Sequence, residues 1–172
     1  MVNCPQVCWW HLIFLDVSDY ELRITADLQI GKTAQNAISA VSYLVECHRD
    51  NTGTVSSQEV ADARNFSKPL AAKILTTLSK VGIVKGSTGP GGGYQLAKAP
   101  EEISLLDVVS QFELQNNVLM CPIGEGWCGN YDPCPLHDKI VELQEEQMRF
   151  LKKNHFGGFM MPGYSSARPD GE

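Results

Sequence analysis

The chain has 172 residues, is 43% hydrophobic and 20% charged, and carries a formal net charge of -6. That suffices for one sizeable core but not for two independent ones, and the apolar run Leu12 to Leu15 is far too short to span a bilayer. With Asp16 and Asp19 and no basic start, residues 1 to 20 make a poor secretory signal, so a cytoplasmic location is expected.

Residues 1 to 27 read as a leader, a poorly ordered or accessory arm, because Cys4, Pro5, Cys8, Trp9 and Trp10 follow no persistent period. From Thr33 to Glu46 the positions Ala34, Ala37, Ile38, Val41, Leu44 and Val45 recur at three and four residues, which predicts a helix buried on one face. Cys47, at its end, belongs with that core. Asn51 to Gly53 form a turn, and Val55 opens a short extended piece. Ser56 followed by Glu59 has capping-box spacing, so a helix is expected from Ser57 to about Arg64, with Val60 and Ala61 inward.

Asn65 and Phe66 turn the chain, Ser67 is placed to cap the next helix, and Pro69 falls in its first turn, where a missing N–H is harmless. That helix presents Leu70, Ile74, Leu75 and Leu78 inward and ends at Gly82, suited to a left-handed cap. Ile83 to Lys85 and Tyr94 to Leu96 read as two strands around a tip at Gly86 to Gly93. Two short helices joined by a tight turn and followed by a hairpin make a winged helix-turn-helix over residues 28 to 100. The fold class is therefore mainly α with a small β-hairpin wing.

Residues 101 to 155 should hold a cysteine loop and the dimerisation helices. Ser104 and Asp107 have capping spacing before Leu105, Val108, Val109 and Phe112. The stretch Asn116 to Pro133 interrupts the helical pattern. A last, long helix should begin near Cys134 or Pro135, with Leu136, Ile140, Leu143, Gln147 and Phe150 or Leu151 at near-heptad spacing. Such a stripe must be buried, either against its own domain or against the same helix of a second chain, and the homodimer is the preferred solution. Residues 156 to 172, rich in Gly and Pro, read as a flexible tail.

Charge divides unevenly along the chain. Residues 54 to 98 hold six basic and two acidic side chains, whereas the segments on either side are acidic. A basic patch within an acidic protein favours one oriented contact with a polyanion, which for a winged helix-turn-helix is double-stranded DNA. Opposite the apolar stripe of the second short helix lie Ser67, Lys68, Ala72 and Lys73, with Thr76 and Thr77 on the same side; these types can meet base edges, thymine methyls and phosphates. In the wing, Thr88, Gly89, Gly91, Gly92 and Tyr94 suit a thin tip that approaches the minor groove, and Lys85 can contact a phosphate. A nucleotide-binding loop is disfavoured, since no Gly-Lys-Ser/Thr follows and the glycines precede a strand.

Cys121, Cys128 and Cys134 have the spacing C-x6-C-x5-C, and His137 follows the last by three. Three soft thiolates and an imidazole suit an iron-sulfur cluster or zinc. The spacing is not the C-x2-C knuckle common in zinc sites, and Gly124, Gly126, Gly129, Pro122 and Pro133 allow the loop to wrap a larger inorganic core. A cluster is favoured, with zinc or a reversible thiol switch as the alternatives. No acid-base pair or activated nucleophile emerges, so an enzyme is not expected; a winged helix that binds protein rather than DNA is the other non-enzymatic alternative.

The segments SKPLAAKILTTLSKVGIV at 67 to 84, GPGGGYQL at 89 to 96 and CPIGEGWCGNYDPCPLH at 121 to 137 together resemble the small bacterial winged-helix regulators that include IscR, NsrR and CymR. The resemblance covers about residues 28 to 155. It implies a homodimer crossed through the long C-terminal helix, with an imperfect palindrome in double-stranded promoter DNA as target; a cluster-sensing role is expected, and repression is the default over activation because a dimer covering a promoter needs no polymerase contact. It implies further that Cys121, Cys128 and Cys134 are cluster thiolates and that His137 completes a 2Fe-2S site, with 4Fe-4S as the alternative form. The nitric-oxide-sensing branch takes an acidic ligand near the start of the first helix, where this chain has Gln35. Three further features differ from the family pattern: C-x6-C stands where C-x5-C is usual, Thr88 where an arginine commonly precedes the wing Gly-Pro, and the leader has no counterpart.

Overall fold

The computed structural model describes residues 30–89, 91–113 and 135–161. Helix α1 (Lys32–Arg49) buries Ala34, Ala37, Ala40, Val41, Leu44, Val45 and Cys47. It continues to Arg49 rather than stopping at Glu46, because the Asp50 amide still finds the Glu46 carbonyl at 2.9 Å; Asn51, at φ 54°, then turns the chain away. Cys47 is a core residue, as its place in the apolar pattern predicts.

Helix α2 (Ser57–Arg64) is capped as its sequence indicates. The Ser56 amide donates to Glu59 Oε2 at 2.7 Å, and the Glu59 amide donates to Ser56 Oγ at 3.2 Å. Asn65, in the left-handed region at φ 53°, ends it. Helix α3 (Lys68–Lys80) buries Ala71, Ile74, Leu75 and Leu78. Ser67 stands at its N-cap position with extended backbone, yet its side chain makes no capping hydrogen bond, so the cap inferred from the sequence is not formed.

Gly82, at φ 72°, carries the chain out of α3 into the hairpin. The first strand lies one residue later than its composition suggests, because the Ile83 amide is engaged by the Leu78 carbonyl at 3.1 Å. Strands β1 (Val84–Gly86) and β2 (Tyr94–Leu96) pair antiparallel, with Val84 opposite Leu96 and Gly86 opposite Tyr94. The extended piece before α2 meets β2 through an isolated antiparallel bridge between Val55 and Tyr94. Val55 and Tyr94 exchange both backbone hydrogen bonds, at 2.9 and 2.7 Å.

A 3-10 turn (Pro100–Glu102) leads to α4 (Leu105–Val109), whose Ser104 and Asp107 form a capping box. Helix α5 (His137–Lys153) starts at His137, with Pro135 and Leu136 in a turn before it. The end of α5 is stitched back to the approach of α4: the Leu105 amide donates to the Asn154 carbonyl, and the Phe156 amide to the Ile103 carbonyl, both at 2.9 Å.

The flexible tail expected from residue 156 does not begin there. Phe156–Met160 forms a 3-10 turn, Phe156 is fully buried, and its ring stacks on Phe159 at 5.4 Å between centroids. Two aromatics separated by glycines carry no sustained period, but burying one such ring stabilises by about 2 kcal/mol, enough to pin the segment.

One core links these elements. Leu44, Ile74, Leu75, Leu78, Val84, Ile103, Val108 and Phe156 pack within it, while Ala34, Val109 and Leu151 join α1, α4 and α5 beside Ile30. The architecture is the mainly helical winged helix-turn-helix with a long C-terminal helix that the sequence indicates. No helix among the described residues is long and apolar enough to cross a membrane.

Candidate nucleic-acid interface

The helix-turn-helix is fastened to α1 by Arg64. Its Nε donates to the Ser39 carbonyl at 3.1 Å, its terminal nitrogen lies 3.0 Å from Glu46 Oε2, and its guanidinium sits 5.2 Å from the Tyr43 ring centroid. The Arg64 and Glu46 side chains are only 4% and 13% exposed. One of the six basic residues between 54 and 98 is thus turned inward and neutralised, and the outward surplus belongs to the lysines. Burial is the first reason the neighbouring Tyr43 phenol titrates above its ordinary value, followed by the Cys47 thiol beside it.

The outer face of α3 has the character its sequence promises. Ser67, Lys68, Lys73 and Thr76 are exposed, Ala72 is half-buried, and the helix contains no acidic residue. Thr77 drops out of this group. Its hydroxyl donates to the Lys73 carbonyl at 2.9 Å and is half-buried. Because Ser67 does not cap, its hydroxyl is left facing outward at the N-terminal end of the helix, the end that enters a groove when a recognition helix docks.

The wing follows α3, which packs against β1. Lys85, Thr88, Gly89 and Gly91 are exposed, and Gly92 is half-buried. Gly89 and Gly91 hold φ of 109° and 76°, which a side chain would strain. Tyr94 is half-buried, packs on the core and faces Gly86, where an added Cβ would lie 3.2 Å from Tyr94 Cε1. Its ring is therefore part of the wing's foundation, and its tip edge is what remains for contact.

Two residues that the sequence does not mark also shape the wing. Ser87 Oγ accepts from the Gly93 amide at 3.3 Å, and Thr54 Oγ1 donates to the Gly91 carbonyl at 2.9 Å. Nothing in the spacing of these residues announces the contacts: Ser87 and Gly93 meet across the tip of one hairpin, and Thr54 reaches Gly91 from a distant segment.

Cys121, Cys128 and Cys134 lie outside the described residues. His137 is described: it is the first residue of α5 and is half-buried. Among the described residues no cluster of three or more His, Cys, Asp or Glu could hold a metal ion. Gln35, the position that the resemblance aligns with an acidic ligand, donates its side-chain amide to the Ile30 carbonyl at 2.8 Å.

Against known proteins, the family profile described as "Rrf2: Iron-dependent Transcriptional regulator" matches residues 30–160. A protein of Aquifex aeolicus named as an HTH-type transcriptional regulator is 33% identical over 122 residues, covering 70% of this chain and 83% of that one. The HTH-type transcriptional regulator IscR of Klebsiella pneumoniae is 26% identical over 125 residues, covering 73% of this chain and 76% of its own. Among solved structures, T. potens IscR superposes with a TM-score of 0.65 at 18% identity, covering 86% of this chain and 96% of that one. CymR, the global cysteine regulator of B. subtilis, superposes with a TM-score of 0.59 at 18% identity, covering 78% and 97%. These structural likenesses concern the fold.

Proposed function

We propose, from the premise that this chain belongs to the Rrf2 family of DNA-binding transcriptional regulators, that it is a cluster-sensing repressor acting as a cytoplasmic homodimer. In this reading Ser67, Lys68, Ala72 and Lys73 of α3 enter the major groove. Lys85, Thr88, Gly89, Gly91, Gly92 and the edge of Tyr94 follow the adjacent backbone and minor groove. Lysine heads supply the sequence-independent part of the affinity, and Ser67 and Ala72 the part that depends on base identity.

Cys121, Cys128, Cys134 and His137 are assigned to an iron-sulfur cluster, 2Fe-2S in preference to 4Fe-4S. Three thiolates and an imidazole within one short stretch form a donor set soft enough for it, and their acidic surroundings do not disqualify them. Such a cluster, when bound, responds to iron supply, electron transfer and nitric oxide.

The observation that carries this reading is continuity: His137 opens α5, three residues after Cys134, and α5 is the helix with an uncovered apolar row. Leu136, Leu143 and Phe150, seven residues apart, are 45%, 54% and 43% exposed, whereas Gln147 and Leu151 face the core. Near-heptad spacing had placed all of them on one stripe; the helix divides them into an inner and an outer row. The outer row is assigned to the same helix of a second copy.

Tethering of Cys134 and His137 would fix the first turn of α5, and α5 in turn sets the separation of the two α3 helices in the dimer. Their release would relax that separation and change affinity for a two-half-site operator. The test is iron and acid-labile sulfide per chain in protein purified without oxygen. About two of each supports the form completed by His137, and about four a cubane with a different fourth ligand. No iron after attempted reconstitution would overturn the cluster assignment and move the cysteines to zinc or thiol chemistry.

A further inference from the structure

Resting on the reading of the wing as a DNA-contacting element, we propose that Thr54 is a positioning residue for DNA recognition. Its hydrogen bond to Gly91 fixes the wing tip relative to the helix-turn-helix. The described residues flanking the glycine-rich tip are hydrogen-bonded to one another. The Ser87 amide donates to the Gly93 carbonyl at 2.8 Å, the Gly93 amide returns to Ser87 Oγ at 3.3 Å, and the Gly92 amide donates to the Gly89 carbonyl at 2.9 Å. These bonds tie Ser87 and Gly89 on one side of the tip to Gly92 and Gly93 on the other.

What then sets its direction is its attachment to the body. At the base, Val55 and Tyr94 pair through the backbone, and Gly93 approaches so closely that an added Cβ would sit 2.7 Å from the Val55 carbonyl oxygen. Further out, Thr54 Oγ1 donates to the Gly91 carbonyl at 2.9 Å. Thr54 lies two residues before Ser56, the cap of α2. One hydroxyl therefore ties the outer end of the wing to the segment that starts the helix-turn-helix. Swinging the tip about the Val55–Tyr94 hinge requires that bond to break.

A loop held in its bound direction loses less freedom on binding than one that must find it. The contribution should be that of one neutral hydrogen bond, about threefold to tenfold in affinity. It should fall on the wing contacts and leave those of α3 unchanged.

The experiment uses the full chain and a duplex enriched by the wild-type protein from a random-sequence pool. Thr54→Val, which keeps the shape and removes the donor, should weaken binding by about threefold to tenfold. It should also lose hydroxyl-radical protection where the wing lies while keeping the major-groove protection of α3. In the free protein, amide exchange should quicken at Gly92 and Gly93 but not within α3. Thr54→Ser should restore all three readouts.

If Thr54→Val binds and protects as the wild type does, the proposal is wrong. If both footprints weaken together with the thermal midpoint, Thr54 is merely structural and the proposal is equally wrong. Failure of the wild-type protein to enrich or bind any duplex would instead remove the DNA-contact reading beneath it, and the proposal with it.

Discussion

The carboxylate of Glu113 accepts a hydrogen bond from the Gly31 amide at 2.7 Å, across eighty-two positions of sequence. Gly31 is the N-cap of α1, a helix with no acidic residue in its own first turn, and Glu113 follows α4 on the approach to the cysteine-bearing segment. The negative charge that an α-helix start favours is thus provided from the edge of the candidate sensing region. An added Cβ at Gly31 would meet Glu113 Oε1 at 2.5 Å, so Gly31→Ala should displace the carboxylate.

Glu113→Gln should cost about 0.5 kcal/mol of stability in urea denaturation, because the contact is exposed. It should also narrow the difference in operator affinity between iron-loaded and iron-free protein. An unchanged difference would mean that the tie to α1 plays no part in signalling.

The lysines of α3 should act through phosphate or guanine contacts. Replacing Lys73 by Ala should weaken binding to specific and nonspecific duplexes alike if it meets phosphate, and should reduce the slope of log K against log salt by about one. If Lys73 reads a base, discrimination at one operator position should relax by about 1 to 3 kcal/mol instead. Binding titrations at several salt concentrations separate these outcomes, and no change in either would remove Lys73 from the interface.

Arg64 should behave oppositely. Removing it takes away the guanidinium that lies 3.0 Å from the mostly buried Glu46 carboxylate, so Arg64→Ala should lower the unfolding free energy by about 3 kcal/mol. The salt slope of DNA binding, measured under conditions where the variant is folded, should not change. A reduced slope with wild-type stability would contradict its assignment as the fastener between α1 and α2.

The start of α2 should weaken in acid. The backbone hydrogen bond from Ser56 is the main reason the Glu59 carboxyl titrates below its ordinary value. A depressed folded value means that the stabilisation is complete above the unfolded value of about 4.3 and is lost as pH falls through the folded one. Glu59 is exposed, so screening keeps this term small. Ser56→Ala should cost about 1 kcal/mol at neutral pH, and Glu59→Gln should flatten the acid limb of the stability profile, both measured by chemical denaturation.

Much of this fold is legible because its signals are local. The Ser56–Glu59 and Ser104–Asp107 boxes, the apolar spacing of Ile74, Leu75 and Leu78, and the glycine at position 82 each specify structure within a few residues. Arg64 was also within reach: it lies four residues after the buried Val60, on the inward face of a short helix. Charge counting alone hides that.

Other features depend on distant partners. Phe156 is anchored by packing against α1, and its own neighbours carry no period. Thr54 and Ser87 acquire their roles only when Val55 pairs with Tyr94 and the tip folds between them. The near-heptad run of α5 shows that a helix has apolar residues to bury, but the division between inner Leu151 and outer Leu143 follows from how α5 docks on the body.

In the proposed function, the state of the cysteine segment sets DNA affinity. The direct measurement is operator binding by one anaerobic preparation before and after chelation of its iron, at fixed salt and with folding monitored by circular dichroism. A change in affinity greater than about tenfold, or 1.4 kcal/mol, with unchanged helicity is the predicted result. Affinities within that factor across several operators would contradict it.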